Sequence, residues 1–147
     1  MSDHPVEGHC FCRAIRFEYA ASPNWVLHCH CESCRRATSS PVTTWISVPR
    51  NAFHFTQGTP HYYASSEGVR RGFCAACGSQ LTYESARIPE EVHLYAAALA
   101  DPSQLVPTRH VFVEEQLPWF EVADDLPRFA TTSRGGAKPV RSGPRGK

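Results

Sequence analysis

Long apolar runs are missing from this 147-residue sequence, and their absence excludes a membrane-spanning helix. A helix that crosses a bilayer needs roughly 18 or more consecutive apolar residues, and no stretch here approaches that length. The first twenty residues carry acidic and polar groups where a secretory signal peptide needs an apolar core. We therefore expect a cytoplasmic protein without membrane contact.

Lysine is almost absent, and the basic residues divide the chain. Residues 1–130 hold ten arginines, no lysine and all fourteen acidic residues, for a net charge of −4. Residues 131–147 hold five basic residues and no acid, and they are rich in glycine, proline and serine. Such a segment buries too little apolar surface to offset its ordering entropy. We expect a folded domain over residues 1–130 and a disordered basic tail over residues 131–147.

Several catalytic signatures are also missing. The sequence has no glycine-rich phosphate loop, no nucleophile elbow and no Ser/His/Asp arrangement. Long helices are disfavoured as well, because twelve prolines are spread along the chain. The chemistry must therefore come from other residue types.

The apolar pattern favours short strands. Ile15, Phe17 and Tyr19 alternate with polar residues, as in a strand with one face in water. Further runs rich in β-branched and aromatic residues predict strands at Val42–Val48, Phe53–Thr56, His61–Ala64, Val69–Phe73, Gln80–Tyr83, Val92–Ala98 and His110–Val113. Only Glu32–Thr38 has the pattern of a short helix or turn. The predicted fold class is mainly β.

Seven cysteines occur in three tight clusters: Cys10-Phe-Cys12, Cys29-His-Cys31-Glu-Ser-Cys34 and Cys74-Ala-Ala-Cys77. An odd number of cysteines cannot pair fully, and disulfides rarely persist in a reducing cytosol. Zinc takes thiolate ligands and prefers four of them in a tetrahedron, at about 2.3 Å, when its role is structural. The clusters therefore predict zinc binding rather than a disulfide scaffold.

The spacing divides the cysteines into a group of four and a group of three. The first and third clusters each supply a pair, and together they complete a closed four-thiolate shell. In the middle cluster three cysteines lie within six residues and can hold a second ion from a single loop, with the fourth position open, as in catalytic zinc sites. We predict two Zn²⁺ per chain. The alternative is that His28, His30 or His110 closes the second site.

The same residues resemble a known family. Gly8-His-Cys-Phe-Cys12, Cys29-His-Cys-Glu-Ser-Cys-Arg-Arg36 and Arg71-Gly-Phe-Cys-Ala-Ala-Cys-Gly78 are similar to motifs of the GFA family, the glutathione-dependent formaldehyde-activating enzymes and their relatives, which include a centromere protein. The resemblance covers roughly residues 7–129. It implies a β-tent fold of short antiparallel strands, stapled by a four-cysteine zinc site.

The resemblance also implies roles and an activity. The structural zinc ligands would be Cys10, Cys12, Cys74 and Cys77, and the catalytic zinc ligands would be Cys29, Cys31 and Cys34. The implied enzyme is a carbon–sulfur lyase, similar to S-(hydroxymethyl)glutathione synthase, that joins a thiol such as glutathione to formaldehyde or handles a similar thiol adduct. Because Arg35 and Arg36 follow Cys34 directly, they are candidates for binding a substrate carboxylate.

Two other functions match parts of the sequence. A non-catalytic zinc module that contacts protein or nucleic acid would use the cations of the tail for salt-dependent phosphate contacts. The body is net acidic, however, and lacks a basic helix for a groove, so we expect a small-molecule thiol as the partner instead. A zinc-containing methionine sulfoxide reductase needs a reactive cysteine outside the zinc clusters, and the sequence has none.

Overall fold

Short strands make up most of the regular structure in the computed structural model, which describes residues 4–146. Within those residues the strands are β1 (Val6–His9), β2 (Arg16–Tyr19), β3 (Trp25–Cys29), β4 (Thr43–Pro49), β5 (Phe53–Gln57), β6 (His61–Ser66), β7 (Val69–Phe73), β8 (Gln80–Ser85), β9 (Glu91–Tyr95), β10 (His110–Val111), β11 (Pro127–Arg128) and β12 (Arg141–Ser142). One α-helix, α1, spans Glu32–Thr38, and short 3-10 turns lie at Arg50–Ala52, Ala96–Ala98, Pro102–Gln104 and Val113–Glu115. The predicted mainly β class is confirmed.

Contacts divide the chain into two compact units, each made of two separate stretches. The first unit comprises the residues up to Trp25 together with Ile46–Leu105. The second comprises Val26–Trp45 together with the residues from Val106 onward.

None of the helices within residues 4–146 is long and apolar enough to span a membrane.

The first unit contains the antiparallel sheet β1-β2-β5. Phe17 and Tyr19 point into the core and are each 1% exposed, whereas Arg16 between the buried residues Ile15 and Phe17 is exposed. The predicted alternation is therefore confirmed. The sheet also depends on a close backbone approach at Gly8, which pairs with Phe17 and bridges to Leu99.

A second antiparallel sheet in the first unit runs in the order β6-β7-β8-β9, with β9 beside β4. Its core is apolar: Leu81 in β8 and Leu94 in β9 are completely buried, as are Ile46 and Val48 of β4. The strand β6 forms the edge of this sheet, and all six of its residues are exposed. The sheet thus buries residues of β4, β8 and β9 and leaves its edge strand β6 exposed to water.

The second unit is organised around the parallel pairing of β3 with β10, in which His110 lies opposite His28 and Val111 opposite Cys29. The strand β10 also pairs in parallel with β11, through His110 and Arg128. Two strands from distant parts of the sequence are therefore joined directly beside the middle cysteine cluster.

Several residues of the predicted basic tail make polar contacts in the part of the chain that the structure describes. Within the second unit, β12 pairs antiparallel with β11, and Val140 N donates to Arg128 O at 2.7 Å. The Arg145 guanidinium donates to a Glu121 carboxylate oxygen at 3.0 Å and to three backbone carbonyls. These contacts are polar, and the expected disorder of the tail stays a prediction. The domain boundary at residue 130 stays a prediction.

Replacing Gly8 with alanine tests the close approach of β1. An added Cβ would lie 2.2 Å from Cζ of Phe17 and 2.8 Å from the carbonyl oxygen of Ala98. Because one of these neighbours is backbone, the strand must shift, and we expect Gly8→Ala to lower the free energy of unfolding by about 1–3 kcal/mol. Urea unfolding measures this. The control is Gly136→Ala, since no atom lies within 4 Å of an added Cβ there, although its positive φ makes that variant mildly strained. Any loss in Gly136→Ala reports backbone strain alone, so an unchanged free energy of unfolding in Gly8→Ala is the result that would show that strand crowding has no effect.

Candidate metal centres

Four cysteine sulfurs converge in the first unit. The Sγ atoms of Cys10, Cys12, Cys74 and Cys77 all lie within 4.8 Å of one another. Cys12 Sγ is 3.6 Å from Cys10 Sγ and 3.8 Å from Cys74 Sγ. Thiolates bound tetrahedrally at about 2.3 Å have sulfur–sulfur edges of roughly 3.8 Å, so this donor set fits a zinc ion.

Two hydrogen-bonded turns position these sulfurs. In the turn after β1, Cys10 N donates to Ile15 O at 3.1 Å, and Ile15 N donates back to the Cys10 sulfur at 3.3 Å. In the turn between β7 and β8, Gly78 N donates to Cys74 O at 2.7 Å. Gly78 adopts a φ of +79°, which L-residues with side chains rarely adopt, and this explains the glycine after the second cysteine pair.

The thiols of this four-cysteine cluster oppose one another's ionisation. Hydrogen bonds from the side chain and backbone of Ser79 hold the pKa of Cys77 down at about 5. For Cys12 a backbone hydrogen bond at Ala14 acts in the lowering direction, but burial and the neighbouring thiols raise the pKa to about 11. A cluster in which one thiol gains its charge at the expense of another needs a cation before all four can be thiolates.

Three sulfurs converge in the second unit. Cys29 ends β3, Cys31 caps the N-terminus of α1, and Cys34 lies in the first turn of that helix. Their sulfurs lie within 4.8 Å of one another, with Cys29 and Cys34 separated by 3.7 Å. The Cys31 sulfur accepts a hydrogen bond from Cys34 N at 3.3 Å. The cluster is therefore built on a strand end and a helix start, not on the single loop that we predicted.

The three-cysteine cluster is more buried than the other. Cys29 and Cys34 are 6% and 5% exposed, and Cys31 is half-buried. Hydrogen bonding with Cys31 and Cys34, in which the neutral Cys29 thiol is favoured, acts together with burial to raise the pKa of Cys29 far above its ordinary value. The hydrogen bond with Cys29 lowers the pKa of Cys34, but Cys31 and burial raise it to about 11. Three crowded thiols again fit a site that a dication would complete.

No histidine joins the three sulfurs among the residues that the structure describes. The group of donor atoms within mutual reach contains the three cysteines alone. His30, one of the candidates for a fourth ligand, turns Nε2 toward Nδ1 of His110 at 2.8 Å. The other two candidates, His28 and His110, belong to a different group of donors that includes Asp124.

The two arginines after Cys34 lie in different environments. Arg35 is half-buried and donates to the carbonyl oxygen of Glu115 at 3.3 Å. Arg36 is exposed, with 80% of its side chain in solvent, and is only 3.9 Å from Glu32 in a loose ion pair. The structure therefore separates the predicted pair: Arg35 is bound to the protein, and Arg36 extends into water.

Glu115 connects the Val113–Glu115 turn to the helix that carries Cys34. Its carboxylate oxygen Oε1 accepts a hydrogen bond from Glu32 N at 3.1 Å, at the first residue of α1. Backbone N–H groups at a helix start lack partners within the helix, so a carboxylate there is stabilising. No local sequence pattern reveals this contact, because 83 residues separate its partners.

A buried polar network was also missed. His30 bonds to His110, whose Nε2 lies 2.9 Å from Asp124 Oδ2, and Asp124 in turn accepts from the buried Arg128 at 2.6 Å. Burial lowers the pKa of His110, and it lowers that of His30 to about 4. Although burial opposes it, hydrogen bonding to His110, Leu126 and Arg128 lowers the pKa of Asp124 to about 2. The imidazoles are therefore neutral at pH 7 and the carboxylate is charged.

Comparisons with known proteins agree with the cysteine motifs. The sequence model of the family described as glutathione-dependent formaldehyde-activating enzyme matches residues 5–115. A Halomonas elongata protein that carries the provisional name of glutathione-dependent formaldehyde-activating enzyme is 30% identical over 127 residues, which is 80% of each chain. The chain therefore belongs to the GFA family, and the resemblance recognised from its cysteine motifs is confirmed.

Two further proteins are similar over shorter or more distant matches. An uncharacterised lyase of Schizosaccharomyces pombe is 32% identical over 77 residues, covering 52% of this chain and 56% of that protein. A crystal structure of a Rhodobacter sphaeroides protein superposes with a TM-score of 0.56 at 20% identity, over 69% of this chain and 92% of that one. The second likeness shows a shared fold.

Removing the Glu115 carboxylate tests its contact with α1. We expect Glu115→Ala to lower the free energy of unfolding by about 0.5–2 kcal/mol, the range for losing a helix-capping side chain. Urea unfolding measures the change. Glu114→Ala is the matched control, because Glu114 is exposed and its replacement removes the same charge from the same turn. If the two variants are equally stable, the Glu115 contact contributes nothing to the helix.

Proposed function

We propose that this chain is a zinc-dependent carbon–sulfur lyase that joins a thiol such as glutathione to formaldehyde, or handles a similar thiol adduct. The observation that carries the proposal is the three-sulfur cluster of Cys29, Cys31 and Cys34, which provides one donor fewer than a closed tetrahedral zinc site. Membership of the GFA family supports the choice of reaction. The expected location is the cytoplasm.

The four-cysteine cluster would hold a structural zinc that staples a β-tent fold. Its sulfur spacing fits tetrahedral thiolate coordination, and its two pairs come from turns that are 62 residues apart. An ion shared by distant turns stabilises only the folded state, so its binding energy is folding energy. Two zinc ions per chain would therefore have different tasks.

The reaction needs little from the protein beyond binding and orientation. A C–S bond forms between the thiol sulfur and the carbonyl carbon, and the thiol proton ends on the new hydroxyl oxygen. A zinc ion held by the three cysteines would supply an open position that favours the thiolate form of a thiol or polarises an aldehyde oxygen. The chain's own side chains fix that position at the junction of β3 and α1.

Arg36 is the cation that would bind a substrate carboxylate. Residues two apart on a helix do not face each other, so Arg36 would reach a substrate at the open position through its long side chain, which is 80% exposed. Arg35, by contrast, is engaged with the Glu115 carbonyl and supports α1. We therefore assign substrate binding to Arg36 and a structural role to Arg35.

The alternative, a non-catalytic zinc module that contacts protein or nucleic acid, rested on the basic tail. In the structure Arg145 donates to Glu121 and Arg141 donates to the Gln116 side chain at 3.3 Å, so part of the tail's charge is bound within the second unit. This observation favours the enzyme. A nucleic-acid titration in which deletion of residues 131–147 removes measurable affinity would favour the alternative.

Zinc content and activity together test the proposal. We expect two zinc ions per chain, and a rate of glutathione–formaldehyde adduct formation above the spontaneous background. Cys29→Ser should lose one zinc and the activity while keeping the wild-type circular dichroism spectrum. Cys74→Ser should lose one zinc and the folded state, because structural zinc contributes folding energy.

Each failure has its own meaning. One zinc in the wild-type chain contradicts the division into four and three ligands. Two zincs without a rate above background retain both sites and refute the activity. A Cys74→Ser variant that melts at the wild-type temperature refutes the structural staple alone.

Arginine substitutions test the carboxylate site. We expect Arg36→Ala to raise KM for glutathione by about 2- to 5-fold without changing kcat, since exposed ion pairs contribute up to about 1 kcal/mol. With the diethyl ester of glutathione, which lacks free carboxylates, the two proteins should have the same KM. Arg35→Ala is the comparison, and we expect its main effect to be a lower free energy of unfolding. If Arg36→Ala leaves KM for glutathione unchanged, Arg36 belongs to a solvated face.

A further inference from the structure

Three donor side chains converge in the second unit in a group that contains no cysteine. His28 in β3, His110 in β10 and Asp124 bring ring nitrogens and a carboxylate oxygen within 4.8 Å of one another. The two histidines are register partners across the parallel strands, and their ring centroids are 4.8 Å apart. Asp124 Oδ2 lies 2.9 Å from His110 Nε2. We propose that these three residues bind a further divalent transition-metal ion through two imidazole nitrogens and one carboxylate oxygen.

The imidazoles are oriented as in established metal sites. A metal-binding histidine almost always hydrogen-bonds through its other ring nitrogen, which fixes the ring and its tautomer. His28 Nδ1 lies 2.8 Å from the Thr44 hydroxyl, and His110 Nδ1 lies 2.8 Å from His30 Nε2. Both Nδ1 atoms are thus engaged, which leaves the two Nε2 atoms as the donors of the proposed site.

The carboxylate is held in the same manner. Asp124 Oδ1 accepts from Arg128 Nη1 at 2.6 Å and from Leu126 N at 3.0 Å, so Oδ2 is left for His110 and the ion. Arg128 is 1% exposed, and its remaining contacts are with backbone carbonyls, including that of Val122 at 2.7 Å. The hydrogen bonds to Oδ1 therefore fix the position of this carboxylate.

The charge and chemistry of the donors select the type of ion. Arg128 offsets the charge of the Asp124 carboxylate, so the site has little net negative charge to attract Mg²⁺ or Ca²⁺, which also prefer six or more oxygen ligands. Imidazole nitrogens suit divalent ions of the first transition series such as zinc and nickel. The proposed occupant is an ion of that group, with open positions for water.

Binding requires His110 to change tautomer. Without an ion, His110 Nε2–H donates to Asp124. When an ion binds, the His110 proton moves from Nε2 to Nδ1, and the His30 proton moves from Nε2 to Nδ1. No proton is released. The hydrogen bond between the rings then reverses its direction and is kept. His30 Nδ1 is buried and has no hydrogen-bond partner among the described residues, which lowers the affinity of the site.

This site is chemically distinct from the neighbouring thiolates. His28 and Cys29 are consecutive residues of β3, and successive side chains of a strand point to opposite faces. The imidazole donors therefore lie on the face of β3 opposite to the Cys29 sulfur. One strand would carry a soft thiolate donor on one side and a nitrogen donor on the other.

Cobalt(II) distinguishes the two kinds of donor. Cobalt bound to thiolates shows intense ligand-to-metal charge-transfer absorption in the near ultraviolet, whereas cobalt bound to nitrogen and oxygen does not. We expect the reduced full-length protein, refolded with cobalt in place of zinc, to bind one cobalt ion per chain beyond the number that saturates the charge-transfer band. His28→Gln should lose that additional ion and keep the charge-transfer band. Thr44→Val should still bind the additional cobalt ion, with an affinity about 10- to 100-fold weaker, the usual effect of losing a hydrogen bond to a metal-binding histidine.

The matched control is His54→Gln, because His54 also lies beside a carboxylate, at 3.0 Å from Glu18, but is exposed and not part of a group of three donors in the described chain. This variant should keep the additional cobalt ion. The proposal is overturned if wild-type protein binds no cobalt beyond the charge-transfer end point, or if His28→Gln binds as much as wild type. Loss of the charge-transfer band in wild type would refute the thiolate sites of the proposed function and leave the imidazole site standing.

Discussion

The parallel pairing of β3 with β10 is the constraint on which the second unit depends. His28 N donates to Arg109 O at 2.9 Å, and His30 N donates to Val111 O at 3.1 Å, so main-chain hydrogen bonds join segments about eighty residues apart. Buried backbone groups must find such partners, and the pairing therefore fixes the path of the chain through the middle cysteine cluster. The same pairing places His110 beside His28. Both donor sets of the second unit follow from one strand pair.

The alternation of side chains along β3 then separates those donors. Cys29 contributes to the sulfur cluster, whereas His28 faces the imidazole and carboxylate group. The sequence His28-Cys29-His30 is thus a compact way to present two chemistries from three residues. Backbone geometry, and not a long loop, makes this possible, because a strand reverses its side-chain direction at each residue.

The sequence was sufficient for the features that depend on local pattern. The boundaries of α1 and β7 were predicted to the residue, and the grouping of the cysteines followed from their spacing. The strand β3 was missed because Cys29, His30 and Cys31 were interpreted as a loop. Asp124, Arg128 and Glu115 were missed because their roles arise only after strand pairing brings distant segments together. The contacts of Arg145 were not predicted, because composition does not reveal arginine hydrogen bonds.

Charge explains why the two proposed zinc sites would behave differently. Four thiolates around a +2 ion leave a net charge of −2, whereas three leave −1, so the open site carries less negative charge. A substrate thiolate in the fourth position would increase the negative charge of the open site to that of the closed site. The open site lies in a buried cluster where crowded thiols already resist ionisation. An exposed cation would help to attract an anionic thiol to such a site, and Arg36 is the exposed cation nearest to Cys34 in sequence. A neutral aldehyde needs no such help. The arginine would therefore act on the binding of the thiol substrate and not on that of formaldehyde.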